Sequence, residues 1–192
     1  MNNISFKAKI IPTFPKEFVA KTMKNGAENF VGRPWTLAES VTSNKAFTNE
    51  IIDCTAVGIK NKDKVKLFHL STENMDKFDQ ITNDIQSSFD LKSPDTEVIL
   101  VGAKPECTHG PDSYKFFNMF VDFFKKMGTS ISVFKGGMGV KSLAHSPSSN
   151  AWLISSSNMP IMNTGIYIAP QEVLKKMFNV VEISAKDQAR WF

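Results

Sequence analysis

Short apolar runs bounded by proline, glycine or polar clusters dominate this chain, while two segments repeat their apolar residues every three or four positions. The runs predict strands. Ile4 to Ile11 is the first, closed by Pro12; Ile51 to Ile59 (IIDCTAVGI) and Val65 to Leu70 (VKLFHL) follow, separated by the all-polar Lys60 to Lys64. Glu97 to Ala103, Ser130 to Lys135 and Ala151 to Ser157 read as three more, with short strands at Ile166 to Ala169 and Val180 to Ile183. Helical spacing appears in Met75, Phe78, Ile81, Ile85 and Phe89, behind Ser71 and Thr72, which are both good N-caps. It appears again from about Asp112 to Met127, with Gly128 as the stop. Shorter helices are predicted from Pro15 through Met23, ended by Gly26, and from Pro170 to Phe178. Gly32 to Asn49 mixes Pro, Ser, Thr and Asn with little periodicity and reads as loop. Hairpins interspersed with strand–helix–strand units predict an α/β (α+β) sandwich, its mixed, mostly antiparallel sheets covered by helices, in a single domain over residues 1–192.

Composition narrows the function classes. The chain has 192 residues, 42% hydrophobic and 22% charged, enough to bury a core. Sixteen Phe against two Tyr and three Trp favour a dry core over a platform for stacking bases. The net charge of +4 comes from scattered lysines, so no nucleic-acid partner is expected. No window holds the roughly 18 apolar residues of a membrane span, and the N-terminus lacks the basic-then-apolar order of a signal peptide. These features lead us to expect a cytoplasmic protein, or one exported as an effector by a leaderless route. Cys54 and Cys107 are too few for a disulfide framework. Oligomeric state is not legible in the sequence.

The residues that carry chemistry are Cys54 and His69. They lie symmetrically about the Asn61–Lys62 bond, so a turn centred there pairs them directly across an antiparallel hairpin. Directly opposite residues share a face with Cβ atoms about 4.5–5.5 Å apart, close enough for a thiol and an imidazole to exchange a proton. The same register pairs Ala56 with Leu67 and Gly58 with Val65, and turns Thr55, Val57, Ile59, Phe68 and Leu70 to the other face. The plain alternative is a buried cysteine acting as a small hydrophobe beside a structural histidine.

Cys54-Thr55 in an apolar strand, with a histidine ending the next, resembles the cysteine deamidases: the cytotoxic necrotizing factors, the chemoreceptor deamidase CheD and the Burkholderia lethal factor. The fifteen-residue step from Cys54 to His69 is most similar to the necrotizing factors, and the single-domain size to the lethal factor. Thr48, six residues before Cys54, matches the threonine that orients the catalytic histidine in CheD and the lethal factor. Helix, strand, helix and strand after His69, ending in Gly136-Gly137, follow the CheD order. The resemblance spans residues from about 45 to 160. It departs where the family has Leu-Ser-Gly before the cysteine and this chain has Ile51-Ile52-Asp53; strand alternation would turn Asp53 to the face opposite Cys54.

The resemblance implies a cysteine-dependent protein glutamine deamidase, as in bacterial toxins and effectors. Cys54 would be the nucleophile, His69 the general base and acid, and Thr48 the group that orients the imidazole. The partner would be a protein carrying a target glutamine, and neither cofactor nor metal is implied. Transglutamination passes through the same thioester. The alternatives are an inactive binding module on the same fold, or another thiol enzyme such as a protease or acyltransferase.

Three other signals have simpler readings. Cys107, His109 and His145 lack the paired spacing of a metal site. Gly136 to Ser142 has Val140 where a phosphate loop needs glycine before Lys-Ser, so it reads as a turn. Ser146 to Asn150 reads as a surface loop between strands. Phe14, Phe18, Phe30 and Trp35 are expected to cover the sheet, and Trp191 and Phe192 to dock back onto the domain.

Overall fold

The computed structural model describes residues 8–32, 39–103, 110–135 and 140–157. Its strands are β1 (Ile10–Pro12), β2 (Phe30–Val31), β3 (Glu39–Thr42), β4 (Phe47–Ile51), β5 (Thr55–Asn61), β6 (Lys64–Leu70), β7 (Thr96–Gly102), β8 (Ile131–Lys135), β9 (Val140–Ser146) and β10 (Ala151–Ser157). The helices are α1 (Pro15–Thr22), α2 (Phe78–Ser88) and α3 (Gly110–Lys126), and the 3₁₀ segment Thr72–Lys77 leads into α2. The strands form two five-stranded sheets, in the orders β1-β10-β9-β4-β2 and β3-β6-β5-β7-β8. Both are mixed: β1/β10, β2/β4 and β7/β8 are parallel, and the other pairs are antiparallel.

Strand alternation sorts the side chains into layers. On the second sheet, Val57, Ile59, Phe68 and Leu70 face α2 and α3. Cys54, Ala56, Leu67, Ile99 and Val101 face the first sheet, meeting Leu143, Trp152 and Ile154. Phe18 of α1 covers Ala144 and Leu153 on the far side of the first sheet. The order is therefore helix, sheet, sheet, helices: the α+β sandwich that the apolar pattern predicts. Phe116, Phe117, Phe120 and Phe124 of α3 are fully buried. Each contributes about 1.5–3 kcal/mol by leaving water, and Phe78 meets Phe116 and Phe120 edge-on.

The structure corrects several expectations. The strand expected over Ile51 to Ile59 is two: Ile51 ends β4 in the first sheet, and β5 begins at Thr55 in the second. Residues 52–54 form the bend that crosses between them. The stretch from Gly32 to Asn49, read as loop, contains β3 and most of β4. β3 is a polar edge strand, and β4 buries the polar Thr48 and Asn49, so neither shows apolar alternation. β9 went unpredicted for the same reason, since it buries Lys141, Ser142 and His145. Among the described residues the first strand covers Ile10–Pro12 and so includes Pro12, tolerated on an edge strand where a missing N–H breaks no inner ladder; Ile4 to Lys7 lie outside the described residues. The elements predicted over 166–169, 170–178 and 180–183, together with Trp35, Cys107, His109, the glycines of 136–139, Trp191 and Phe192, lie outside the described residues.

Candidate active site

The β5–β6 hairpin carries the two central residues, in a register that differs from the expected one. Asn61 pairs with Lys64, so the turn is Lys62-Asp63, and His69 faces Ala56 rather than Cys54. The reason lies on the neighbouring strand. Asn61 stands opposite Thr96 of β7 and its Nδ2 donates to Thr96 Oγ1 at 2.7 Å. Asn61 therefore belongs to the ladder and cannot be a turn residue, and Lys62 takes the left-handed conformation in its place, with φ 52°. The offset amounts to two positions, which preserves the face of every side chain. Cys54 lies in the bend just before β5, one residue outside the paired ladder, and packs in the inter-sheet core beside Ala56 and Leu67.

Thr48 reaches His69 from the other sheet. Its Oγ1 lies 2.7 Å from His69 Nδ1 and 2.7 Å from the Val31 carbonyl oxygen. The hydroxyl has a single proton, and a carbonyl can only accept. The Thr48 O–H therefore donates to Val31, and His69 Nδ1–H donates to Thr48 Oγ1. This arrangement fixes the neutral imidazole as the Nδ1–H tautomer and leaves the lone pair on Nε2, the form a general base requires. The pairing of β2 with β4, Val31 beside Thr48, supplies the carbonyl. A bulge between Thr48 and Ile51, with Glu50 at φ 57°, then turns the chain toward Cys54.

Cys54 is a buried thiol, 2% exposed, and His69 is 0% exposed. Asp53 does not point away from it as strand alternation would require. It lies in the bend, outside the ladder, and Cys54 Sγ donates to Asp53 Oδ1 at 3.8 Å. The backbone at this point is clamped. Ser113, in the first turn of α3, donates from Oγ to the Asp53 carbonyl at 2.5 Å, which sets the positive end of the helix dipole beside the Asp53–Cys54 peptide. On the other side Gly102, at φ 143°, lies so close that a Cβ there would stand 2.1 Å from the Cys54 carbonyl oxygen. Ala103 follows at φ 57°. Glu50 and Ala103 thus hold positive φ angles that are uncommon for residues with a side chain, and Gly102 supplies the close approach to the Cys54 carbonyl.

Two further residues stand near this end or opposite it. Lys135 ends β8 beside Gly102, its Nζ 3.3 Å from the centre of the Tyr114 ring and 3.0 Å from Asn118 Oδ1. Burial lowers its pKa to about 7, although the ring face and the amide oxygen favour the ammonium. His145 is at the opposite end of the sandwich, near the β5–β6 turn, with its Nδ1–H donating to the Asn44 carbonyl at 2.6 Å. Burial holds its pKa below the usual histidine value; the Asn44 bond opposes this, and the Lys60 charge reinforces it. Among the described residues no group of three or more His, Cys, Asp or Glu could hold a metal ion, and no helix is long and apolar enough to cross a membrane.

Sequence reasoning singled out Cys54, His69 and Thr48; the structure joins Thr48 to His69 and places Cys54 in the inter-sheet core. It missed Val31, Ser113 and Gly102. Only Gly102, a glycine ending an apolar strand, left any signal in the sequence. No protein-family model matches the chain, and no curated protein matches it significantly.

Proposed function

We propose that this protein is a cysteine-dependent glutamine deamidase acting on a partner protein. The observation that carries the reading is the Val31–Thr48–His69 relay of hydrogen bonds, which puts the His69 proton on Nδ1 and makes Nε2 the accepting nitrogen, with Cys54 buried in the adjoining inter-sheet core. In the reaction, Nε2 takes the Cys54 proton and the thiolate attacks the carboxamide carbon of a glutamine side chain. The imidazolium returns that proton to the departing nitrogen, and ammonia leaves behind a thioester. Water, losing a proton to Nε2, attacks the thioester; the C–S bond breaks, glutamate is released, and the thiolate recovers its proton from Nε2. The helix dipole of α3 favours negative charge at Cys54. An amine in place of water would give transglutamination by the same intermediate.

The burial of Cys54 and its hydrogen bond to Asp53 favour a second reading, an inactive binding module on the same fold. The two readings part on the rate of iodoacetamide alkylation at Cys54, resolved by mass spectrometry and measured across pH in the wild type and in His69→Ala. The deamidase reading expects a reactive thiol that titrates below an ordinary cysteine and loses that property in His69→Ala. A Cys54 that stays unmodified in the native protein, or alkylates identically without His69, establishes the inert module. For a reactive Cys54, candidate substrates are then screened for a gain of about one dalton at glutamine with the chain intact, which separates a deamidase from a protease.

A further inference from the structure

β9 carries a lysine in the interior of the sandwich. Lys141 is 0% exposed and stands between Ile51 of β4 and Ser156 of β10. Alternation along β9 places it on the same face as Leu143, which packs in the inter-sheet core with Ile51, Cys54 and Ala56. Ala144, on the opposite face, lies under Phe18. The Lys141 side chain therefore enters the space between the sheets and not the outer layer.

Its position along the sandwich is equally defined. Leu143 is the register partner of Thr48, the residue that holds His69. Lys141 lies two residues further along β9, about 7 Å, and its own partner Ile51 is where β4 ends before the bend to Cys54. A flexible four-carbon stem can bridge such an offset. Taking an ammonium out of water costs several kcal/mol unless anionic or hydrogen-bonding groups compensate it. A leucine or methionine would fill the same space without bringing a charge, so what a lysine adds at this position is its field on the ionisable groups nearby.

We propose that Lys141 is a positioning residue for Cys54 and His69: a fixed positive charge inside the sandwich that favours the thiolate over the thiol. The inference rests on the reading of Cys54 and His69 as a working nucleophile and base. Its sign is distinctive. A cation stabilises the thiolate and opposes the imidazolium, so removing it raises the titration points of both groups. A loss of packing alone has no reason to move both upward.

The test is the pH profile of iodoacetamide alkylation at Cys54, with His69 followed by imidazole NMR, in the full-length wild type, Lys141→Met, Lys141→Arg and His69→Ala. Lys141→Met is expected to move both titrations up by about one unit, slowing alkylation about tenfold at a pH below the titration, while Lys141→Arg retains the wild-type profile. A folded Lys141→Met protein with unchanged titrations overturns the inference. If His69→Ala shifts the Cys54 profile and Lys141→Met does not, only the role of Lys141 fails; if neither does, the Cys–His reading itself fails. Should Lys141→Met not fold, lysine-labelled wild type and Cys54→Ser decide. Lys141 Cε is expected to show a step at the pH where Cys54 ionises, absent in Cys54→Ser, and a wild-type Lys141 without that step overturns the inference.

Discussion

Replacing Thr48 by Val removes the hydroxyl that links the two sheets through His69 while leaving the side-chain volume nearly unchanged. Thr48 and His69 are both fully buried, so water cannot substitute for what is lost. Two bonds of 2.7 Å disappear, stranding the His69 Nδ1–H and removing one donor to the Val31 carbonyl. A buried polar group left without its partner costs about 1–3 kcal/mol. The carbonyl has a second lone pair, so the imidazole N–H carries most of the penalty, and we expect Thr48→Val to lose about 2–4 kcal/mol in urea unfolding. Thr48→Ser keeps the hydroxyl and removes one methyl, for a loss of about 1 kcal/mol. Nitrogen-15 NMR of the imidazole gives the second readout: His69 is the Nδ1–H tautomer in wild type and Thr48→Ser, and loses that preference in Thr48→Val. The proton assignment along Val31, Thr48 and His69 is refuted if Thr48→Val is as stable as wild type, or if His69 in the native wild type carries its proton on Nε2.

Gly102→Ala places a methyl 2.1 Å from the Cys54 carbonyl oxygen at a φ of 143°, so it should destabilise by more than about 2 kcal/mol and alter Cys54 alkylation. Gly128→Ala, at φ 73° with open space around the new Cβ, meets only backbone strain and should cost about 1 kcal/mol; equal melting temperatures for the two would contradict the clamp on Cys54. Lys135 has its pKa lowered from 10.5 to about 7, so between those values the unfolded chain binds more protons than the native one. Stability should therefore rise with pH across that window, and urea midpoints at pH 7 and pH 9.5 should show this component in wild type and not in Lys135→Met. Burial lowers the His145 pKa, so as pH falls below about 6.5 the unfolded chain gains a proton before the native one does and stability declines. His145→Phe should lack that acid component in the same measurement.

What could be read from the chain alone follows from local physics. Alternation over Val65 to Leu70, the run from Glu97, and the three-and-four spacing of Met75 to Phe89 and Phe116 to Phe124 encode secondary structure and its buried face within a few residues, because side-chain direction repeats with the backbone. Cys54 and His69 are close in sequence, one in the bend entering β5 and the other on β6, so a hairpin alone was enough to nominate them together. The register was decided elsewhere, by Asn61 bonding to Thr96 on a strand 35 residues away. The break at 52–54 was hidden because Ile51 and Thr55 are both buried, in different sheets. β4 and β9 escaped notice because Thr48, Lys141 and His145 face inward, where polar residues are admitted only when tertiary partners compensate their desolvation. Those partners come from strands that only the folded sandwich brings together. For the same reason the sequence could nominate Thr48, His69 and Cys54, whereas the direction of the His69 proton needed the Val31 carbonyl, which only the pairing of β2 with β4 supplies.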